Sequence, residues 1–192
     1  MVRKQKNKRN LLLILLIPLG IALLVALGFL FSKVIIPSQP QPENEIAPGK
    51  ISLAQLSLVS DKLAYQAGEE GLIDVYLDTT GFEVIAVDVQ ITYDPDLIEV
   101  EEIIKGDVFD SYPTNANKIM GGKIYMSALA DIGEVKTGII KIGSIKVKAL
   151  NKGQTSLDFV YTPQGTTDSN VVSKNNANDA LGRVIGITLS ID

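Results

Sequence analysis

The chain of 192 residues contains no cysteine, no histidine and no tryptophan. Each absence removes a chemistry. Without cysteine there is no thiol nucleophile, no disulfide to brace an exported domain, and no residue to carry a lipid at a cleavage site. Without histidine there is no imidazole general base, no Ser-His-Asp triad and no histidine-bound zinc. Without tryptophan, and with aromatics at only 6% of residues, the usual planar platforms for stacking sugar rings are scarce. Positive charge is also scarce outside one place. Arg3, Lys4, Lys6, Lys8 and Arg9 precede any acidic residue. Beyond position 10 there remain 13 basic against 22 acidic side chains, a net charge of −9. Such a surface disfavours nucleic acid and anionic membrane surfaces as partners.

What is present is one long apolar run, LLLILLIPLGIALLVALGFLF, at residues 11–31, with no charged residue in it. A helix of about 20 residues spans a hydrocarbon core of roughly 30 Å, and membrane helices tolerate an internal proline such as Pro18. The basic head before the run and the single Lys33 just after it predict an inside-to-outside orientation. Residues 1–10 are read as cytoplasmic, 11–32 as a single-pass transmembrane anchor, and everything beyond as extracellular. The competing reading is a cleaved signal peptide, with a small-x-small site at Ala26-Leu27-Gly28. Both readings export the remainder. Residues 33–50, including PSQPQPENEIAPG, are rich in Pro, Gln and Glu and form an extended linker.

Residues 51–192 suffice for one domain with a sizeable core, and their pattern is that of strands. Ile85, Val87, Val89, Ile91 and Tyr93 share one parity; Ala86, Asp88, Gln90 and Thr92 share the other. Ile73, Val75 and Leu77 alternate in the same way, as do Leu157, Phe159 and Tyr161, and Ile185, Ile187, Leu189 and Ile191. Further strands are expected at 53–60, 97–104 and 123–130. Between 138 and 150 the apolar parity flips, from Ile140 and Ile142 to Ile145, Val147 and Ala149. A β-bulge near Gly143-Ser144 within one long bent strand would restore the phase. Turn signals at 68–71, 80–81, 94–96, 121–122, 151–153 and 182 separate the runs. The expected fold is all-β: an antiparallel, jelly-roll-like β-sandwich of about nine strands behind one N-terminal membrane helix. Short helical turns within 108–118 or 170–180 are compatible with the pattern.

The order of these signals resembles the cohesin domain, the receptor half of the cohesin–dockerin pair. The resembling residues begin with Ala67-Gly68-Glu69-Glu70-Gly71. They continue through Tyr93-Asp94-Pro95-Asp96-Leu97-Ile98-Glu99-Val100, similar to the family's Y-D-P signature. Ile104-Lys105-Gly106-Asp107-Val108-Phe109 is similar to its spaced G-D-x-F. The Gly-Gly-Lys-Ile strand, Thr137-Gly138 and Lys152-Gly153-Gln154-Thr155-Ser156-Leu157 also fit, so the likeness spans about 53–191. Related carbohydrate-binding sandwiches share much of the pattern. Physical chemistry assigns these motif residues to the fold. Asp94 can cap a sharp turn whose φ Pro95 fixes, Tyr93 lies under it, and Gly106 is expected at positive φ.

The resemblance implies a docking surface on the flat outer face of one sheet, around the strand that precedes Tyr93. Parity places Ala86, Asp88, Gln90 and Thr92 there. Ala86 departs from the polar residue often found in the family. Asn115 and Asn117 are expected on the adjoining strand, and Met126 and Ala128 as apolar contacts, although Tyr125 and Leu129 compete for the core in that segment. Paired carboxylates are the one catalytic arrangement the composition permits. Glu99, Glu101 and Glu102 share a strand, but alternation turns Glu99 and Glu101 to solvent. The loop 168–179, DSNVVSKNNAND, offers oxygen atoms but lacks the Gly and Glu of an EF-hand. The chain is therefore read as non-enzymatic, without catalytic residues, cofactor or metal.

Three functions fit. The first is a membrane-tethered receptor module that holds a dockerin-like or other protein at the cell surface, with a link to polysaccharide breakdown implied by the resemblance. The second is direct polysaccharide binding, for which Tyr76 is the one strand tyrosine pointing clearly outward. The third is a structural or adhesive surface protein that pairs with itself or with an envelope protein.

Overall fold

Alternation of apolar and polar residues becomes strand throughout the described residues, which in this computed structural model are 53–192 apart from Gln164, Thr166 and Asn176. The expected cytoplasmic segment 1–10, the anchor 11–32, the linker 33–50 and the cleavage alternative at Ala26-Leu27-Gly28 lie outside them. No helix among the described residues is long and apolar enough to cross a membrane.

In chain order the strands are β1 (Ala54–Ser60), β2 (Ala64–Tyr65), β3 (Glu70–Asp78), β4 (Val84–Thr92), β5 (Ile98–Lys105), β6 (Lys118–Met120), β7 (Lys123–Leu129), β8 (Ile139–Ala149), β9 (Gly153–Phe159), β10 (Asn170–Ser173), β11 (Leu181–Ile185) and β12 (Ile187–Ile191). They form two sheets. One runs β11-β1-β3-β8-β5. The other runs β2-β12-β9-β4-β7-β6, with β10 also paired to β4. Between them lies one apolar core. Ile73, Val75 and Leu77 of β3 enter it from the first sheet, and Val87, Val89 and Ile91 of β4 from the second. Each such buried side chain contributes about 1.5–3 kcal/mol relative to exposure. Lys50–Asp192 is a compact unit, and the whole of this core lies inside it.

The sandwich agrees with the sequence pattern; the strand directions do not agree throughout. Two pairs are parallel, β1 with β11 and β12 with β2. Both involve the C-terminal run, which changes sheet at Gly186. The run 185–191, expected as one alternating strand, crosses between sheets there: Ile185 ends β11 and stays exposed, while Leu189 and Ile191 of β12 are buried. A Cβ on Gly186 would lie 2.6 Å from the Leu157 carbonyl oxygen, so only glycine lets the chain pass that close. Three short strands, β2, β6 and β10, were not expected. Neither 108–118 nor 170–180 forms a helix: the first is a turn with a bridge between Ser111 and Leu129, and the second contains β10.

The phase flip in β8 resolves as expected. The ladder to β3 pairs Val75 with Gly143 and Tyr76 with Lys141, leaving Ile142 as the extra residue. Ile140, Ile142, Ile145, Val147 and Ala149 are all buried in one eleven-residue strand. Three further register shifts were not foreseen. One makes Glu101 the extra residue opposite β8. Another passes over Gly182 of β11 opposite β1. The third makes Ile85 the extra residue opposite β10, so Val84, rather than Ile85, enters the core.

The two motif segments brace this frame. Asp94 Oδ1 accepts the Asp96 N–H at 2.9 Å, and the Asp94 carbonyl accepts the Ile98 N–H at 3.1 Å, closing the turn into β5. Tyr93 is half-buried against the core. Phe109 is buried. Gly106 departs from expectation, because its φ is not in the left-handed region. Glycine is required there by close approach: a Cβ would lie 2.5 Å from the Lys141 oxygen and 2.6 Å from the Ile142 oxygen. That approach lets the Gly106 N–H donate to the Ile142 carbonyl at 2.9 Å, and the Tyr112 hydroxyl donates to the same oxygen at 2.8 Å. The bulge residue of β8 is thus held by the segment that follows β5.

Across the outer face of the five-stranded sheet Lys146 links Glu70 at 2.7 Å and Glu101 at 2.8 Å. Both carboxylates hydrogen-bond its ammonium group and hold its pKa above the ordinary lysine value, Glu101 most strongly. Of the three glutamates considered for paired-carboxylate chemistry, Glu101 is thereby committed to a lysine. Glu99 and Glu102 stand exposed beside it.

Candidate partner-binding face

Strand β4 is central to the second sheet, and its alternation decides which side chains reach the outer surface. Val87, Val89 and Ile91 point inward, so Ala86, Asp88, Gln90 and Thr92 stand half-buried on the outer face, the side the sequence assigned them. Pairing with β7 sets Asp88 opposite Ser127, Gln90 opposite Tyr125 and Thr92 opposite Lys123. On the other edge, β9 pairs with Ile91 and Thr92, and β10 pairs with 84–88, placing Asn170 opposite Asp88.

Between β9 and β10 the edge of β4 is bridged by side chains. Ser169 is fully buried. Its hydroxyl accepts the Gln90 N–H at 3.0 Å and donates to the Gln90 carbonyl at 3.1 Å. The Gln90 side chain donates to the Thr167 carbonyl at 2.8 Å. The Ser127 hydroxyl donates to Asp88 Oδ1, and Thr92 donates to the Asp158 carbonyl at 3.2 Å. Lys118 lies over the Tyr125 ring, 5.4 Å from its centroid. Beside these bonds lies a cavity of about 200 Å³ lined by Asp88, Gln90, Tyr125, Ser127, Asp168 and Asn170 among others.

The other four expected contacts are placed differently. Met126 and Ala128 are 1% and 0% exposed, and they pack in the core opposite Val89 and Val87. The parity of β7 is decided by Ile124, which shares their face; Tyr125 and Ser127 take the outer one. Asn115 and Asn117 precede β6 instead of lying on it. Asn115 is exposed in a turn. Asn117 is spent on the backbone: Nδ2 donates to the Pro113 and Ser127 carbonyls at 2.9 and 3.0 Å, and Oδ1 accepts the Ser127 N–H at 3.1 Å. It acts as one more rung on the edge of β7.

The residues that sequence reasoning missed are Tyr125, Ser127, Asp168 and Asn170. A cross-strand signal existed for the first two, since their parity follows once Ile124 is taken as the inward residue. None existed for Asp168 and Asn170, which reach the face only because the chain returns along β4 as β10.

The loop 168–179 is not one chelating loop. It is divided by β10, and its carboxylates serve the backbone. Asp168 Oδ2 accepts the Thr162 N–H. Asp179 Oδ1 accepts the N–H groups of Val171 at 2.9 Å and Leu181 at 3.0 Å. Among the described residues no three acidic side chains converge as a metal site. Tyr76 lies on the outer face of the other sheet, between Ser57 and Lys141.

The two sheets have the fold of a cohesin module. No family model matches the chain, and no curated protein matches it in sequence. Solved structures do match. A cohesin module of a family 33 glycoside hydrolase from Clostridium perfringens superposes with a TM-score of 0.55 at 11% identity, covering 73% of this chain and 97% of that one. A type I cohesin from Pseudobacteroides cellulosolvens gives 0.55 at 16% identity, covering 72% and 92%. A type I cohesin–dockerin complex from Clostridium thermocellum gives 0.52 at 15% identity, covering 72% and 99%.

Proposed function

We propose that this chain is a membrane-anchored, non-catalytic cohesin-like receptor that presents the outer face of β9, β4 and β7 to a dockerin-like protein partner. The observation that carries the reading is the cohesin fold together with an outer sheet face whose central groups, Asp88, Gln90, Ser127 and Tyr125, surround a shallow cavity. Flat sheet faces bind through a few central polar and aromatic anchors within a polar rim. The apolar run at 11–31 supplies the anchor, with the N-terminus inside the cell and the domain outside. Polysaccharide breakdown is the process such a receptor would serve, since the cohesin from Clostridium perfringens is part of a glycoside hydrolase.

The test is capture of envelope and secreted proteins on the immobilised 50–192 unit, which carries the whole described core, compared with an Asp88→Ala, Gln90→Ala variant. Capture of one specific protein by direct, saturable binding, weakened in the variant, is the expected result. A folded domain that captures nothing would sink the reading.

Direct polysaccharide binding is the second reading. Tyr125 favours it as an outward aromatic at the cavity, but Lys118 covers the ring face on which a sugar would stack. Retardation in affinity electrophoresis through a polysaccharide gel, lost in Tyr125→Ala, would move it to first place.

A further inference from the structure

The cavity on the candidate docking face is lined by two carboxyl groups, Asp88 and Asp168, and among the described residues neither forms an ion pair. Six other carboxylates, Glu69, Glu70, Asp74, Glu83, Glu101 and Asp110, each have a lysine within 4 Å, and the remaining unpaired ones are open to solvent in part or in full; among the described acidic side chains Asp168 alone is buried. Asp168 is only 6% exposed, and its Oδ1 has no hydrogen-bond partner among the described residues. Asp88 spends Oδ1 on the Ser127 hydroxyl, a neutral donor, and among the described residues no partner is seen for Oδ2. The one cation among the described lining residues, Lys118, lies over the Tyr125 ring.

A buried carboxylate without a compensating charge is costly, and its field is strong where water is partly excluded. Oδ1 of Asp168 is itself covered, so it acts on the cavity through its field, while Asp88 and the Asn170 side chain stand at the surface to make contact. The complement of this arrangement is a cationic group entering from outside.

The geometry points to a socket for a positively charged side chain, arginine or lysine, delivered by the protein partner. This rests on the receptor reading above. A bare metal ion is the poorer fit: about 200 Å³ is large for one, and no third acidic ligand converges. A side chain carries its own stem to fill the space, and a guanidinium also offers planar, paired donors for a carboxylate.

The experiment uses no protein partner. N-acetyl-arginine amide is titrated into the ¹⁵N-labelled 50–192 unit, with N-acetyl-citrulline amide as the uncharged isostere and calcium chloride as the metal arm. The expected result is a saturable shift of the Gln90, Ser127 and Asn170 amides with the arginine compound only. That shift should weaken about tenfold or more in Asp88→Asn and in Asp168→Asn. Both variants keep an oxygen for the Ser127 and Thr162 donors; if Asp168→Asn does not fold, Asp88→Asn carries the comparison alone. Equal shifts with the citrulline compound, shifts with calcium but not arginine, or no shift at all would each overturn the socket. The capture experiment would still decide the receptor reading separately.

Discussion

The hydroxyl of Ser169 sits on the backbone of Gln90, accepting its N–H at 3.0 Å and returning a bond to its carbonyl at 3.1 Å. One buried side chain does there what a strand residue does elsewhere in the ladder. It lies where β9 has left the edge of β4 and β10 has not yet joined it, and so satisfies the backbone of β4 beneath the candidate docking face.

Replacing that hydroxyl removes the partner of the Gln90 N–H. The Gln90 carbonyl keeps the Val160 N–H at 2.8 Å, so a single buried donor is orphaned. Ser169→Ala should lower stability by about 1–3 kcal/mol in urea denaturation. A change within 0.5 kcal/mol would mean that water or a neighbour replaces the bond.

Met126 separates core from interface. It is buried, so Met126→Ala should lower stability by about 2–5 kcal/mol, while the folded fraction binds its partner as the parent does. Tyr125→Ala should do the reverse, with a small loss of stability and a large loss of binding. Calorimetry paired with binding titration would measure both. Selective loss of binding in Met126→Ala would return that residue to the interface.

Gly106 tests whether space or φ dictates the residue. If positive φ were the reason, asparagine, which tolerates that region, would be milder than alanine. With backbone oxygens at 2.5 and 2.6 Å from a Cβ, both substitutions should be strongly destabilising, by roughly 1–3 kcal/mol or more. Thermal melts of Gly106→Ala and Gly106→Asn would decide it, and a clearly milder asparagine variant would contradict the space argument.

The pH dependence of stability follows from the lysine-paired carboxyls. Hydrogen bonds from Lys62, Lys146 and Lys136 hold Glu69, Glu70 and Asp110 below their ordinary values of 4.5, 4.5 and 3.8. A carboxyl whose folded pKa is depressed stabilises above its unfolded value, and that contribution is lost as pH falls through the folded one. Lys62 and Lys146 are raised above 10.5, chiefly by Glu69 and Glu101, so their contribution is present below that value and is lost as pH rises through the folded pKa. Tyr112, raised above 10.0 by burial, acts in the same direction. From these groups Tm should be level between about pH 5 and 9 and should fall on both sides. All the paired groups are at the surface, so 1 M salt should flatten the acid limb. An acid limb indifferent to salt would mean that other groups control it.

Much of this architecture follows from residue order alone. Period-two runs such as Ile73, Val75 and Leu77 can bury only one face, so strands and a sandwich are forced by alternation. The parity flip between Ile142 and Ile145 cannot be buried in a regular strand, so a bulge is forced as well. The same rule placed Asp88 and Gln90 on the outer face, because Val87, Val89 and Ile91 left them no other. What alternation does not contain is which strands meet. Only the packed structure decided that β11 and β12 lie in different sheets on either side of Gly186, that Ile124 turns Met126 and Ala128 inward, and that the return of the chain along β4 carries Asp168 and Asn170 to the side of Asp88. The physical reason is one of range. Burial of alternate residues is settled within a few positions along the chain, whereas pairing brings together residues some 80 positions apart, such as Gln90 and Ser169, through contacts that neither segment encodes by itself.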